Sequence, residues 1–347
     1  MWSVTKDKIF AWVIDKDKVN LVEQEINETQ LEQQIFEMRK TIINFNSKPQ
    51  EIESAIFPVY NAIFSKIKPL IKQNAGQTLI IIPDKALYAV SFNALIDPET
   101  KRYLIEDFPL GSAPSATVYL RCLERDKQLS KNINEKVLAI GNPSFSQEHF
   151  KGMKYLSNAE KEAQAVSEIY SNTATKLLLT KDATKETFLK ELSSYNVIHY
   201  AGHALVDPAS PLFSKLLLAF PDNAPSSYDE AVYAHEIYGQ QFNQTKLVIL
   251  AACRTAGGQR TKGEGMISLA RPFLAKGVPA VVASLWDADD KASLELFKTF
   301  HQERLAGKNS LVAMQKAQIK LLKSSYPLEN HPRMWSLFQV IGGVNPN

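Results

Sequence analysis

Two cysteines in 347 residues are too few to staple a secreted scaffold, which excludes a disulfide-built protein. Cys122 and Cys253 are therefore expected as free thiols in a reducing, cytoplasmic setting. Long apolar runs are missing as well. None approaches the roughly 18 residues that a membrane helix needs, and the N-terminal stretch from Ile9 to Ile14 is too short and too flanked by charge for a secretory leader. An excess of one charge is missing: 40 basic residues face 37 acidic ones, giving a formal net charge of +3. No basic block tracks a phosphate backbone, so neither nucleic acid nor membrane is an expected partner. Internal repeats, low-complexity tracts and the charged tails that mark disorder are absent too.

What is present is enough apolar material, 45% of the chain, to fill one large core or two. "IFAWVI" and "VNLVEQEI" flank the charged turn "DKDK" and read as a strand pair. "ETQLEQQIFEMRKTIINF" has helical spacing through Leu31, Ile35, Phe36 and Met38, and a further helix over "EIESAIFPVYNAIFSKIKPLI" is expected to be interrupted at Pro58. "QTLIIIPDKALYAVSFNALI" reads as strand, turn, strand.

From about Lys136 the rhythm changes to apolar strands alternating with helices: "KVLAIG", "TKLLLT", "NVIHYA", "TKLVILAAC" and "VPAVVASLW" are the strands. Unbroken apolar strands between helices predict a mostly parallel sheet covered on both faces. The polar "ERDKQLSKNINEK" places a domain boundary near residue 130, between an N-terminal region, 1–130, and a second domain, 136–347. Met266, Leu269, Ala270, Phe273 and Leu274 mark a helix stripe in which Pro272 is out of place.

In open α/β sheets, sites form at the carboxyl ends of strands. Cys253 ends "LVILAAC" and His203 follows "VIHYAG". A thiol nucleophile needs an imidazole to take its proton, and if the two strands are neighbours the two side chains meet. The histidine lies about 50 residues upstream of the cysteine, the order and interval of caspase-type enzymes. His199 and His203 also form His-x-x-x-His, but on a strand, without a following glutamate or a third ligand, which points away from zinc and leaves His199 as a hydrogen-bonded strand residue. "GQRTKG" imitates the start of a phosphate-binding loop but continues with Glu264 and Gly265 in place of Lys-Ser/Thr, so its glycines read as a mobile loop and Glu264 as a helix-end charge.

"HYAGHALVDPASPLFSKLLLA", "LVILAACRTAGGQRTKGEGMISLARPFLAKGVPAVVASLWDADDKAS" and "HPRMWSLFQVIGG" resemble the CHAT family of caspase-like cysteine peptidases, and "SLWDADDKAS" is similar to separase. The resemblance implies an α/β fold, a caspase-like three-layer sandwich around a mostly parallel sheet, preceded by an N-terminal α/β pseudo-protease-like region that supports it. It implies Cys253 as nucleophile, His203 as general base and later acid, and the backbone N–H groups of Cys253 and Ala204 as the oxyanion hole; the position after the histidine is more usually glycine. Caspases carry an arginine after the "VVASLW" strand, which selects aspartate. Here Asp287 stands there, with Asp289 and Asp290 behind it. A carboxylate pairs bidentately with arginine and less exactingly with lysine, so cleavage of protein substrates after a basic residue is implied, with Asp287 as first candidate for the pocket acid and Asp290 as second. Aspartates at a helix start are also ordinary dipole partners.

No metal or organic cofactor is implied. Family enzymes are commonly latent until a partner orders their loops, and the helical repeats that often precede this domain are not in this chain; they belong either to a longer form of it or to a separate regulatory protein. The rival reading is a catalytically idle interaction module that keeps the fold.

Overall fold

The computed structural model describes residues 1–71, 77–129, 135–253, 269–326 and 328–345. Met266, the "GQRTKG" stretch and Glu264 lie outside these, and the statements below concern the described residues.

Strands β1 (Trp2–Val4), β2 (Lys8–Ile14) and β3 (Val19–Glu25) form a small antiparallel sheet, the expected hairpin plus one strand. Helix α1 (Glu28–Ile43) starts at Asn27, whose side chain accepts from the N–H groups of Thr29 and Gln30. It buries Leu31, Ile35, Met38 and Ile42, while Phe36 faces solvent. Thus Ile42, not Phe36, completes the i, i+4, i+7, i+11 stripe. Helix α2 (Pro49–Ile63) runs without a break through Pro58, contrary to the expected interruption. Ile56, Val59, Tyr60 and Ile63 are buried around Pro58, and that packing holds the helix across the lost hydrogen bond.

Strand β4 (Leu79–Ile81) forms as expected, but the second strand expected before residue 97 does not. Short 3₁₀ turns over Lys85–Ala89 and Phe92–Ala94 take its place, and they bury Leu87, Val90, Phe92 and Ala94 without a ladder. Apolar content alone does not distinguish a strand from a buried turn. Helix α3 (Leu104–Asp107), strand β5 (Leu110–Ser112) and helix α4 (Ala116–Leu129) follow.

Strand β6 (Val137–Gly141), helix α5 (Ser157–Ile169), strand β7 (Thr175–Leu179), helix α6 (Lys185–Glu191) and strand β8 (Val197–Leu205) come next. Thr184 caps α6, its side chain accepting from the N–H of Thr187. Strands β9 (Lys215–Leu217) and β10 (Ala231–Tyr233), helix α7 (Ala234–Tyr238), strand β11 (Leu247–Cys253), helix α8 (Ala270–Ala275) and strand β12 (Ala280–Ser284) continue the chain. Pro272 is the third residue of α8, inside the first turn, where N–H groups have no intrahelical partner to lose. Helices α9 (Asp290–Leu305), α10 (Ser310–Leu322) and α11 (Pro332–Trp335) and strand β13 (Phe338–Gly342) complete it.

The large sheet has ten strands. Its parallel centre runs β7-β6-β8-β11-β12, and β13 pairs antiparallel to β12, then parallel to β5, which pairs with β4. β9 and β10 attach antiparallel beyond the point where β6 leaves β8. β9, β10 and β13 are short or late additions with no strand-helix rhythm around them, and sequence periodicity does not reveal them.

Alternation sorts the strand residues into two cores. Val197, Ala201, Leu247, Ile249, Ala280 and Val282 face one core, shared with Ala163 and Val166 of α5 and with Leu296, Phe297 and Phe300 of α9. Ile198, Tyr200, Val248, Leu250, Val281 and Ala283 face the other, with Phe188, Ile237 and Phe273 from α6, α7 and α8. That is a three-layer sandwich.

Candidate functional site

β8 and β11 are adjacent and parallel in a continuous register from Leu247 opposite Val197 to Cys253 opposite His203. The two candidate residues are therefore direct cross-strand partners at the carboxyl end of the sheet's centre. β8 does not give way to a loop after Ala201, as the sequence suggested; it carries His203 and Ala204 within the strand, and Ala204 pairs with Leu216 of β9.

His203 is 9% exposed. Its Nε2 lies 2.7 Å from the carbonyl oxygen of Lys154, and its ring meets the edge of Phe145, with centroids 5.3 Å apart and planes at 87°. A carbonyl only accepts, so Nε2 carries the hydrogen, and in the neutral ring Nδ1 keeps its lone pair for a proton from elsewhere. Burial pushes the imidazole below its usual pKa, against the opposite pull of the Lys154 carbonyl and the Asp290 charge. The neutral, proton-accepting form is thereby favoured.

Lys154 and Phe145 belong to the loop after β6. Asn142 opens that loop in the left-handed region (φ 47°), which asparagine tolerates better than most residues. Its N–H donates to the Ala201 carbonyl at 2.8 Å, and its Oδ1 accepts from the Leu156 N–H at 3.1 Å. One residue, through its backbone N–H and its side-chain oxygen, thus ties both ends of the loop to the sheet edge beside His203. No sequence signal marks Lys154, because its carbonyl is the group in use. Phe145, an aromatic residue beside "NPS", was the only visible hint.

His199 lies two strand positions behind Ala201 in a wholly buried polar chain. Its Nε2 is 2.8 Å from Glu162 Oε1 and its Nδ1 3.1 Å from His301 Nε2, and His301 Nδ1 is 3.3 Å from Tyr170 Oη. Burial pushes the Glu162 carboxyl up, with His199 opposing, and holds His301 well below the ordinary histidine range. His199 is thus the hydrogen-bonded strand residue expected of it.

The aspartates beyond β12 separate by partner. Asp289 caps α9, its side chain accepting from the N–H groups of Lys291 and Ala292. Asp290 accepts from the Asn158 N–H at 2.9 Å and ties the start of α9 to that of α5, with its charge felt at both His203 and Glu162. Asp287 directly follows Trp286 and is half-buried. Trp286 is buried, donates to the Arg333 carbonyl at 3.0 Å, and has the Arg39 guanidinium 5.7 Å from its ring centroid. Arg39, on α1, also donates to the carbonyls of Ala89 at 2.8 Å and Leu285 at 3.1 Å. The N-terminal region therefore holds the backbone of the loop that carries Asp287.

The model of the CHAT domain matches residues 56–343. The chain belongs to the CHAT family. The match crosses residue 130 and takes in β4 and β5. The chain is similar to human tetratricopeptide repeat protein 28, with 28% identity over 301 residues that cover 76% of this chain, and to its mouse counterpart at 26%. It spans 12% of either relative's length. Among solved structures, the yeast (Saccharomyces cerevisiae) separase–securin complex aligns with 92% of this chain and 22% of that one, at a TM-score of 0.50 and 13% identity. The Arg-specific cysteine proteinase gingipain R aligns over 91% of this chain and 74% of that one, at 0.45 and 12%. The CHAT chain has the caspase-like sandwich. No described helix is long and apolar enough to cross a membrane.

Proposed function

We propose that this CHAT domain is a cysteine endopeptidase that cuts protein substrates after arginine or lysine. The observation that carries the reading is the register of β8 and β11, which sets Cys253 opposite His203 on strands about 4.8 Å apart.

His203, held at Nε2 by Lys154, takes the thiol proton at Nδ1. The thiolate attacks the scissile carbonyl, and the N–H groups of Cys253 and Ala204 receive the oxyanion. The imidazolium then hands its proton to the leaving amine, and water, deprotonated by the same ring, releases the acyl group. Asp287 is the pocket carboxylate for the basic side chain, with Asp290 as the second candidate. Residues 1–130 act as a buttress for the 136–347 catalytic unit, an assignment supported by the Arg39 contacts. A regulatory protein partner, in keeping with the tetratricopeptide repeat name of the relatives and the securin bound to separase, would order the loops for activity.

The test is covalent capture with an arginyl peptide acyloxymethyl ketone, located by mass spectrometry. Modification of Cys253 that disappears in His203→Ala supports the reading. Capture at Cys253 that is unaffected by His203→Ala removes the dyad. No capture, together with partner binding that survives Cys253→Ala, supports the idle interaction module instead.

A further inference from the structure

Directly before β10, Glu230 is only 1% exposed, although it carries a carboxylate. A buried carboxylate needs donors and a countercharge. Both come from the loop after β6. The Ser146 N–H donates to Oε1 at 3.2 Å, and His149 Nδ1 lies 3.2 Å from Oε1 and 3.1 Å from Oε2. Among the described residues His149 is the one ion-pair partner of Glu230. The His149 side chain is 28% exposed, so its ring exchanges protons with solvent while its partner is shut away.

The pair anchors the segment that holds His203. Phe145, whose ring meets the His203 ring, immediately precedes Ser146. On the other side a run of hydrogen bonds leads to Lys154. The Phe150 N–H donates to the Ser146 carbonyl at 3.0 Å, the Met153 N–H donates to the Phe150 carbonyl at 3.3 Å, and the next residue is Lys154, whose carbonyl fixes His203. Phe145 packs on Leu217 and Ala231 of β9 and β10, with Phe150 and Met153 against them. The two groups that hold the imidazole thus flank a stretch whose polar anchor is Glu230.

Charge sets the strength of that anchor. Hydrogen bonds between ionised groups are about twice as strong as neutral ones. A neutral His149 offers the carboxylate at most an uncharged Nδ1–H, and in its other tautomer a lone pair. No neighbour replaces the lost charge. Tyr228 and Tyr233 lie near Glu230, but burial pushes both phenols up, so they stay neutral. Lys185 is paired with Glu236 at 2.9 Å and Asp229 at 3.7 Å, and Lys215 lies over the rings of Phe150 and Tyr233. Around His149 itself stand Glu148, the Ser226 carbonyl and the Phe220 ring. The Glu230 contact, helped by the Ser226 carbonyl and the Glu148 charge, raises the His149 pKa above its ordinary 6.5 against the cost of desolvation. A pKa raised by folding means that the anchor is at full strength below that ordinary value and weakens as pH rises through the raised one.

We infer that Glu230 and His149 form a proton-dependent latch that seats residues 145–154 and thereby positions His203. Both are positioning residues, and neither touches substrate. The consequence for turnover rests on the cysteine-peptidase reading above, whereas the latch itself is measured without turnover.

The experiment follows amide hydrogen exchange by mass spectrometry, corrected for the intrinsic pH dependence of exchange, at about pH 6 and about pH 8.5. It compares the wild type with His149→Gln and Glu230→Gln, and peptides covering residues 137–141 of β6 report the global fold. In the wild type, protection of residues 145–154 is expected to fall about fivefold from the lower to the higher pH, the difference between a charged and a neutral hydrogen bond, with β6 unchanged. His149→Gln, a change at a solvent-reached ring, is expected to show the weaker protection at both pH values. Glu230→Gln is expected to match it. Cys253-dependent kcat on an arginyl peptide amide is expected to carry the same alkaline fall in the wild type and to lose it in His149→Gln, with KM unchanged.

Protection that stays constant with pH in the wild type, or that changes alike in the wild type and His149→Gln, would overturn the latch. The expected exchange pattern with no matching fall in kcat would overturn its hold on His203. The expected exchange pattern without any Cys253-dependent turnover would overturn the peptidase reading and leave the latch standing.

Discussion

Arg39→Met separates two roles for the N-terminal region: holding the specificity loop, or merely adjoining it. In the wild type, one guanidinium from α1 donates to the carbonyls of Ala89 and Leu285 and lies against the Trp286 ring. Burial lowers its pKa to about 10, so the ionised group sits there at a desolvation cost that its hydrogen bonds must exceed. Methionine keeps most of the apolar stem but gives neither carbonyl a donor. Hydrogen bonds to a charged group contribute about 1.5–3 kcal/mol each, and the cation–π contact about 0.5–1. Relief of the guanidinium's desolvation offsets about half of that sum, leaving a net destabilisation of about 2–3 kcal/mol. Equilibrium denaturant unfolding, followed by tryptophan fluorescence, reads the change directly. The loop that follows Leu285 carries Asp287, so KM for an arginyl substrate should rise while alkylation of Cys253 by iodoacetamide stays at the wild-type rate. A stability change under about 0.5 kcal/mol, the size of an ordinary surface substitution, would show that Arg39 holds nothing, and the buttress would be refuted.

Three further outcomes follow from the same geometry. Burial depresses the His203 pKa, so the ring stays neutral down to below its ordinary 6.5 and accepts a proton only at lower pH; the acid limb of kcat/KM for the free enzyme should have its midpoint below pH 6.5, and a midpoint above that value would show that His203 is not held as the structure shows. Cys122 is buried on α4 and its thiol is pushed up by burial, so thiol reagents applied to the folded protein should modify Cys253 and leave Cys122 untouched until denaturant is added, a pattern that peptide mapping would reverse if Cys122 were the reactive thiol. A Cβ at Gly141 would stand 2.7 Å from Ala163 Cβ and 2.9 Å from the Ala159 carbonyl oxygen, so Gly141→Ala should cost about 1–3 kcal/mol by prising α5 from β6, and unchanged unfolding would contradict that close packing.

Asp287→Lys asks a different question. If Asp287 is the pocket acid, a peptide-library digest should lose cleavage after arginine and lysine by at least about 100-fold, in keeping with loss of a charge-paired contact of roughly 3 kcal/mol. Cleavage that remains after basic residues would move the role to Asp290 or remove it from this loop.

The central strands were readable because a strand buried on both faces is an apolar run whatever its neighbours, and "LVILAAC", "VIHYAG" and "VPAVVASLW" all became strands of the sheet's core. The α1 stripe was readable for a different reason, the 3.6-residue spacing of Leu31, Ile35 and Met38, and Phe36 was the one misplaced residue. Cys253 and His203 stood out because a reactive residue at the end of such a run is conspicuous by its chemistry. Their mutual placement was conditional on the strands alone and otherwise implied by the family resemblance: it depends on β8 and β11 being neighbours in register, which strand periodicity does not fix. Nor did the sequence show what surrounds His203. The Lys154 carbonyl that fixes its tautomer is a backbone group every residue possesses, and Arg39 reaches Leu285 across most of the chain. Composition and spacing record which side chains are available, whereas the folded sheet alone decides which backbone groups they meet.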